Sequence, residues 1–388
     1  MAFFRNTAVN RINIHYGIQA LATGAGGVFF LVFLLRAGVS VPATLMTMAG
    51  ILAGRFVIRP IILPVAKRWG LKATLIIGNC LMATQFPVLT QVHGVGWGLL
   101  ALILSASLGD TFYWSSYHAY FATLGDSEHR GHQIGAREAL AAVIGIVAPL
   151  LGAWSLVTLG STATYWAIGA VQLLAALPLI GAPNVPIAPT APGSLRAAKL
   201  GILMFAADGW FVAGYYFVWQ IALFIAVREN IAAYGGAMAL AALIGAIGGM
   251  LLGRRIDMGH GLRMSFIAYG IAASVLLLRA ASVGSPWLAV AANAPGALVA
   301  ALQSTAMMAP VYNMAKASPC PLRFHIATEG GWDIGCFIGC VLAAAIAGSG
   351  RSLSDALLLA VIGSVASVIL LSLYYARQGA DRSSVRAI

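Results

Sequence analysis

Six ionisable side chains stand inside long apolar runs of this sequence: Arg55, Arg59, Asp110, Asp208, Glu329 and Asp333. A charge surrounded by hydrocarbon is expensive, so each asks for a partner or a purpose. Glu329 and Asp333 are spaced i, i+4 and share one face of a helix. Two close carboxylates cannot both ionise cheaply in a low dielectric unless a cation intervenes. The pair therefore suits a proton relay or one side of an ion-pair gate. Arg55 and Arg59 repeat the spacing with the opposite charge. Glu138 sits nearer the end of its apolar run and makes a weaker case.

Aromatic residues accompany two of the acids. Asp110 is followed by Tyr113, Trp114, Tyr117, His118 and Phe121, all on one helical face. A carboxylate heading such a stripe can bind a cation or an amphipathic organic molecule. The equally open alternative is a helix–helix seam in which Asp110 pairs with Arg55. Asp208 repeats the design with Phe211, Tyr215 and Trp219 on its face, and Tyr216 and Gln220 beside it. Gln303, Met307 and Met308 read better as packing than as ligands. His118, His325, Cys336, Cys340 and the two methionines form no compact ligand motif, so no metal and no cofactor are expected. No G-x-S-x-G, H-E-x-x-H or paired Cys/His constellation points to an enzyme.

The elements that hold these residues follow from composition. The chain is 60% hydrophobic and only 9% charged, with a mean hydropathy of +0.89. Soluble domains carry about 25% charge, so this sequence cannot wrap a solvated surface around one core. Its 388 residues leave room for about twelve spans of roughly 20 residues. We place them near 12–36, 43–66, 72–92, 97–122, 134–157, 161–181, 199–226, 231–253, 262–281, 286–314, 324–348 and 354–376. The first run is too long for a cleavable signal peptide. Cys80, Cys320, Cys336 and Cys340 lack a C-x-x-C pair, which argues against disulfides and structural zinc.

The net charge of +12 reflects topology rather than nucleic-acid binding, because no basic stripe interleaves with aromatics. Arg5, Arg11, Lys67, Arg68, Lys72, Arg130, Arg137, Arg196, Lys199, Arg254, Arg255, Arg263, Lys316, Arg323, Arg377, Arg382 and Arg386 fall on one side of the spans. Only Arg36, Arg228, Arg279 and Arg351 fall in the opposite loops. The positive-inside rule then puts both termini in the cytoplasm, which requires an even number of spans.

One linker has a different texture. Ala182 to Ser194 reads APNVPIAPTAPGS, whose prolines forbid a helix. It separates two halves of six spans: residues 1–181, a linker at 182–198, and residues 199–388. The halves echo each other. RFVIRPIILPVAKRWGL at Arg55–Leu71 corresponds to GRRIDMGHGLR at Gly253–Arg263, and GAREALAAVIG corresponds to IATEGGWDIG, with Glu138 and Glu329 at matching places.

Six plus six spans, a central linker and basic 2–3 and 8–9 loops resemble the major facilitator superfamily. Its loop signature is roughly G-x-x-x-D-[RK]-x-G-[RK]-[RK]. The second half keeps Gly253, Asp257, Gly259 and Arg263, whereas the first has Lys67 where the acid is expected and agrees at Arg68, Gly70 and Lys72. The resemblance implies an all-α membrane fold of two pseudo-symmetric six-helix bundles around a central cavity lined by spans 1, 4, 7 and 10. Asp110, Tyr113, Trp114, Tyr117, His118, Asp208, Tyr215, Trp219, Asn293 and Gln303 would then be substrate or proton ligands. It also implies that span 2 packs on span 11. Arg59 and Glu329 match in depth, as do Arg55 and Asp333 one turn deeper, which predicts gating pairs Arg59–Glu329 and Arg55–Asp333.

The function expected is a proton-coupled, alternating-access secondary transporter of a small organic, amphipathic compound across the inner membrane. Its partners are the bilayer, the substrate and protons, without nucleic acid, and it is expected to be a monomer. A lipid or lysolipid flippase is the alternative within the fold; a non-transporting scaffold or an intramembrane enzyme is the alternative of another class.

Overall fold

The computed structural model describes residues 6–125, 130–256 and 261–386, and these are helical apart from short turns and the central linker. The helices group into α1 (Thr7–Arg36), α2 (residues 41–69), α3 (residues 71–89), α4 (Trp97–Leu124), α5 (Arg130–Thr158) and α6 (Gly160–Ile180), then α7 (Ser194–Ala226), α8 (Ile231–Ile256), α9 (Gly261–Ser282), α10 (residues 286–317), α11 (Pro321–Gly348) and α12 (residues 353–386). This grouping is consistent with the expected twelve. Among the described residues eight helices are long and apolar enough to cross a membrane, and one of these, Val41–Leu89, is 49 residues long. Twice the length a bilayer needs, it turns back at Gly70, whose φ of 82° only glycine adopts freely.

Sequence punctuation sets the helix starts. Ser40 accepts a hydrogen bond from the Ala43 amide at the start of α2, and proline stands in the first turn there, in α10 and in α11. Pro60 tightens α2 into one 3-10 turn at Arg59–Ile61. The linker contributes structure of its own. Asn184 accepts from the Lys72 amide and donates to the Trp69 carbonyl, bracketing Gly70, and the Lys72 ammonium reaches the Ile180 carbonyl at the end of α6. α7 begins at Ser194, earlier than the span placed at 199–226.

Small residues decide the closest packing. Gly331, Gly335 and Gly339 make a stripe on α11 that lies against the Ile202 and Ala206 carbonyls and Ala213 of α7, while Gly209 returns the fit against the Trp332 carbonyl. Two large apolar clusters follow. One gathers the chain-terminal ends of the helices, with Val9, Leu71, Tyr120, Leu179, Phe324 and Leu371. The other gathers the far ends, with Phe29, Leu99, Phe224, Tyr234 and Ala289. The charged residues lie between them. The halves meet chiefly where α2 packs on α11 and α5 on α8, with α4 touching α10 and α11.

Arg279 departs from its expected place in a far-side loop. It is buried in the last turns of α9, so the far-side loops keep Arg36, Arg228 and Arg351.

Candidate functional site

A cavity of about 470 Å³ lies between the halves, walled by α1, α2, α3, α4, α7, α10 and α11. Its wall on one side is Arg55, Asp110, Trp114 and His118; on the other it is Asp208, Tyr216, Gln220, Glu329 and Trp332. Phe30, Phe86, Phe205, Phe217, Met307 and Met308 fill in the apolar surface.

Arg55 is the hub. Its Nη1 lies 3.6 Å from Asp110, its Nη2 donates to Glu329 Oε2 at 3.2 Å, and its Nε stands 2.9 Å from Asp333 Oδ1. The last contact is an ion pair without hydrogen-bond alignment. Arg59 binds the other oxygen of Asp333 through both Nε and Nη2, and its Nη1 donates to Ser115 at 2.6 Å. Each of these charges except Asp110 is nearly or wholly sealed from solvent. A guanidinium in contact with carboxylates from both halves ties them together at bilayer depth.

The geometry holds the expected Arg55–Asp333 pair and corrects the other. Arg59 holds Asp333 and no ion pair joins Arg59 to Glu329; Glu329 is shared by Arg55 and His118, whose Nε2 is 3.5 Å away. Matching depth alone leaves out the 3-10 turn at Arg59, which changes the helix rotation there. Asp110 both contacts Arg55 and lines the cavity, so the seam and the cavity meet at this residue.

Asp208 has a different environment. Its oxygens accept from Gln303 Nε2 at 3.2 Å and Trp332 Nε1 at 3.1 Å. The Arg55 guanidinium lies 5.0 Å from the centre of the Trp332 ring. Trp332 thus links the acid of α7 to the arginine of α2, yet the sequence reading passed over it. Its position between Glu329 and Asp333 on α11 was the available signal.

Toward the chain-terminal side the cavity is floored by rings. His118 Nδ1 is 2.8 Å from the Tyr312 hydroxyl, Phe121 packs on Tyr312, and His118 stacks on the buried His325 with centroids 5.6 Å apart. α4 and α10 are thereby closed against each other.

Several residues expected in the cavity lie elsewhere. Tyr113 and Tyr117 are fully buried in the seam with α1, where Tyr113 meets His15 Nε2 at 3.1 Å and Tyr117 stacks on Tyr16 and meets Arg137. Of the stripe that Asp110 heads, only Asp110, Trp114 and His118, spaced i, i+4, i+8, line the cavity. Gln303 reaches it only through Asp208. Asn293 accepts from Trp219 Nε1 and donates to the Ala237 carbonyl inside the second half.

Tyr215 and Trp219 are displaced for a definite reason. Residues 213–218 form a π-helical turn, which inserts one extra residue into α7. The face of Asp208 and Val212 therefore continues at Tyr216 and Gln220, one residue later than an ideal helix gives. Tyr215 and Trp219 turn away onto the buried Arg279, whose guanidinium lies 4.2 Å and 4.7 Å from their ring centres. Arg279 Nη1 also donates to the Tyr215 carbonyl at 2.8 Å, a group whose helical partner the bulge disturbs.

Of the loop-signature residues, Gly70 and Lys72 engage the linker as described, and Arg68 and Arg263 are exposed. Gly253 falls within α8; Asp257 and Gly259 lie outside the described residues, as does the side chain of Glu138.

A charged cavity at mid-depth between two helical bundles is the arrangement of a carrier, and comparison with known proteins decides the family. The model of the Major Facilitator Superfamily matches residues 14–322. The chain belongs to this superfamily. It is accordingly a transporter and not an enzyme. No curated protein sequence gives a significant match. Among solved structures the chain is similar to an auto-inhibited POT family peptide transporter (TM-score 0.68, 13% identity, covering 95% of this chain and 97% of that one). It is also similar to the human organic anion transporter TETRAN (0.67, 14% identity, 95% and 99%). The E. coli fucose:proton symporter is a third such structure (0.65, 16% identity, 95% and 99%). At these identities the likeness concerns the fold.

Proposed function

We propose that this chain is an alternating-access secondary transporter that moves a small organic compound across the inner membrane, coupled to protons, with both termini in the cytoplasm. In this reading residues 1–181 and 199–388 are the two moving bodies, joined by the linker at 182–198, and one copy of the chain suffices.

The observation that carries the reading is the buried network through which Arg55 and Arg59 of α2 hold Glu329 and Asp333 of α11. A buried ion pair gains little net stability because desolvation offsets much of its Coulomb energy. It serves a switch better than a staple: when the chain-terminal side opens, its groups rehydrate and the contact is given up. Proton coupling is supported by carboxylates facing the cavity without full neutralisation, and a structural neighbour is itself a proton symporter.

Uptake into proteoliposomes under an imposed pH gradient tests the proposal. Accumulation that follows the gradient is expected; solute movement indifferent to it rules out proton coupling. Transbilayer movement of labelled lysolipid in place of solute uptake would move the reading to a flippase.

A further inference from the structure

The cavity is short of positive charge. Arg55 shares its wall with three carboxylates, Asp110, Asp208 and Glu329, and behind it Arg59 stands against a fourth, Asp333. Every nitrogen of Arg55 already has a carboxylate beside it, and Arg59 is spent on Asp333 and Ser115. Among the described residues no cation pairs with Asp208: both its hydrogen bonds come from neutral donors, Gln303 and Trp332. The remaining nearby cations are turned elsewhere. Arg137 lies over Tyr16 and Phe121 in the first-half seam, Arg279 lies on the other side of α7, and His118 addresses Glu329.

A carboxylate at bilayer depth without a counter-ion must take up a proton or a cation. We propose that the cavity binds an organic cation with an apolar body, and that Asp208 is its counter-ion. This deepens the transporter reading and rests on it. The two neutral donors fix the carboxylate's orientation and leave its charge unspent. Aromatic rings share the cavity wall with Asp208. The face of Trp332 already carries the Arg55 guanidinium, and Tyr216 is 41% exposed, open to the cavity rather than packed. Phe30, Phe86, Met307 and Met308 supply the surface for the apolar body, in a volume of about 470 Å³ that falls in the drug-sized range. An organic anion is disfavoured by the same geometry, since it would have to evict carboxylates from Arg55 before finding a partner.

The test uses two probes of nearly equal shape and opposite charge, tetraphenylphosphonium and tetraphenylborate. Binding to the purified full-length protein in neutral detergent is measured by equilibrium dialysis against protein-free micelles. The cation is expected to bind at least tenfold more tightly than the anion. Asp208→Asn should weaken cation binding at least tenfold, and Asp208→Glu should keep most of it; a thermal melt shows that each variant is folded. Equal affinities, a preference for the anion, no specific cation binding, or unchanged binding in folded Asp208→Asn would each overturn the proposal. Unchanged binding in that variant would leave Asp208 as a proton site for some other solute. Gradient-driven uptake of a neutral or anionic solute, with no cation binding, would sink this inference and keep the transporter reading. Cation binding without uptake of any solute would do the reverse.

Discussion

Replacing Arg59 by methionine keeps most of the side chain's volume and removes its charge. Asp333 is 1% exposed and shares its two oxygens between Arg59 and Arg55. At 3–4 Å and an effective dielectric near 20, one such attraction is worth roughly 4–6 kcal/mol. Removing one partner of a buried pair costs about 3–5 kcal/mol. Arg55 remains beside Asp333, so the lower figure, about 3 kcal/mol, is the one to use. If opening the chain-terminal side rehydrates Asp333, this loss falls on the closed state alone and shifts the equilibrium roughly 100-fold toward the open one. Spin labels at Thr123→Cys and Lys316→Cys, both exposed near the ends of α4 and α10, in a background where the four native cysteines are alanine, report that opening by their distance distribution. Arg59→Met should populate a longer distance that the parent lacks. The combined Arg59→Asp and Asp333→Arg exchange should restore the short distance and part of the transport, whereas Arg59→Glu with Glu329→Arg should not, because those two groups form no ion pair. An unchanged distribution in folded Arg59→Met would refute the switch, and equal recovery in both exchanges would refute the pairing.

Arg279→Met should release the π-helical turn by removing the donor to the Tyr215 carbonyl. In thiol-labelling scans a cysteine at 216 should then lose access from the cavity and one at 215 gain it, with Arg279→Lys intermediate; identical patterns in all three would unseat the clamp. Gly335→Val places a branched side chain against the Ala206 carbonyl and should cost about 1–3 kcal/mol, read as a lower melting midpoint, while Gly236→Val, which meets open space, should be silent. Single cysteines in the linker and just after Arg377 should react with impermeant reagents only from the cytoplasm; labelling of either from outside would overturn the orientation.

The sequence by itself determined the membrane class, the helix positions and the break at the linker, because these depend on hydrophobic length, proline and glycine. It also singled out six charges inside apolar runs, since an ionisable residue there is conspicuous without any structure; the buried Arg279 escaped it, lying at the end of its run. The partners of those charges were decided by the tertiary structure. Arg59 meets Asp333 where α2 carries a 3-10 turn, which periodicity does not reveal. The face of α7 was misread for a similar reason: one inserted residue at 213–218 passes the cavity from Tyr215 and Trp219 to Tyr216 and Gln220. On α4 the full aromatic stripe was legible, but a helix packed on two sides divides its stripe, sending Tyr113 and Tyr117 to α1 and leaving Trp114 and His118 to the cavity. Composition and spacing act along one chain and set depth in the bilayer; which side chains share a space depends on crossing angles and helix rotation, which only the packed bundle fixes.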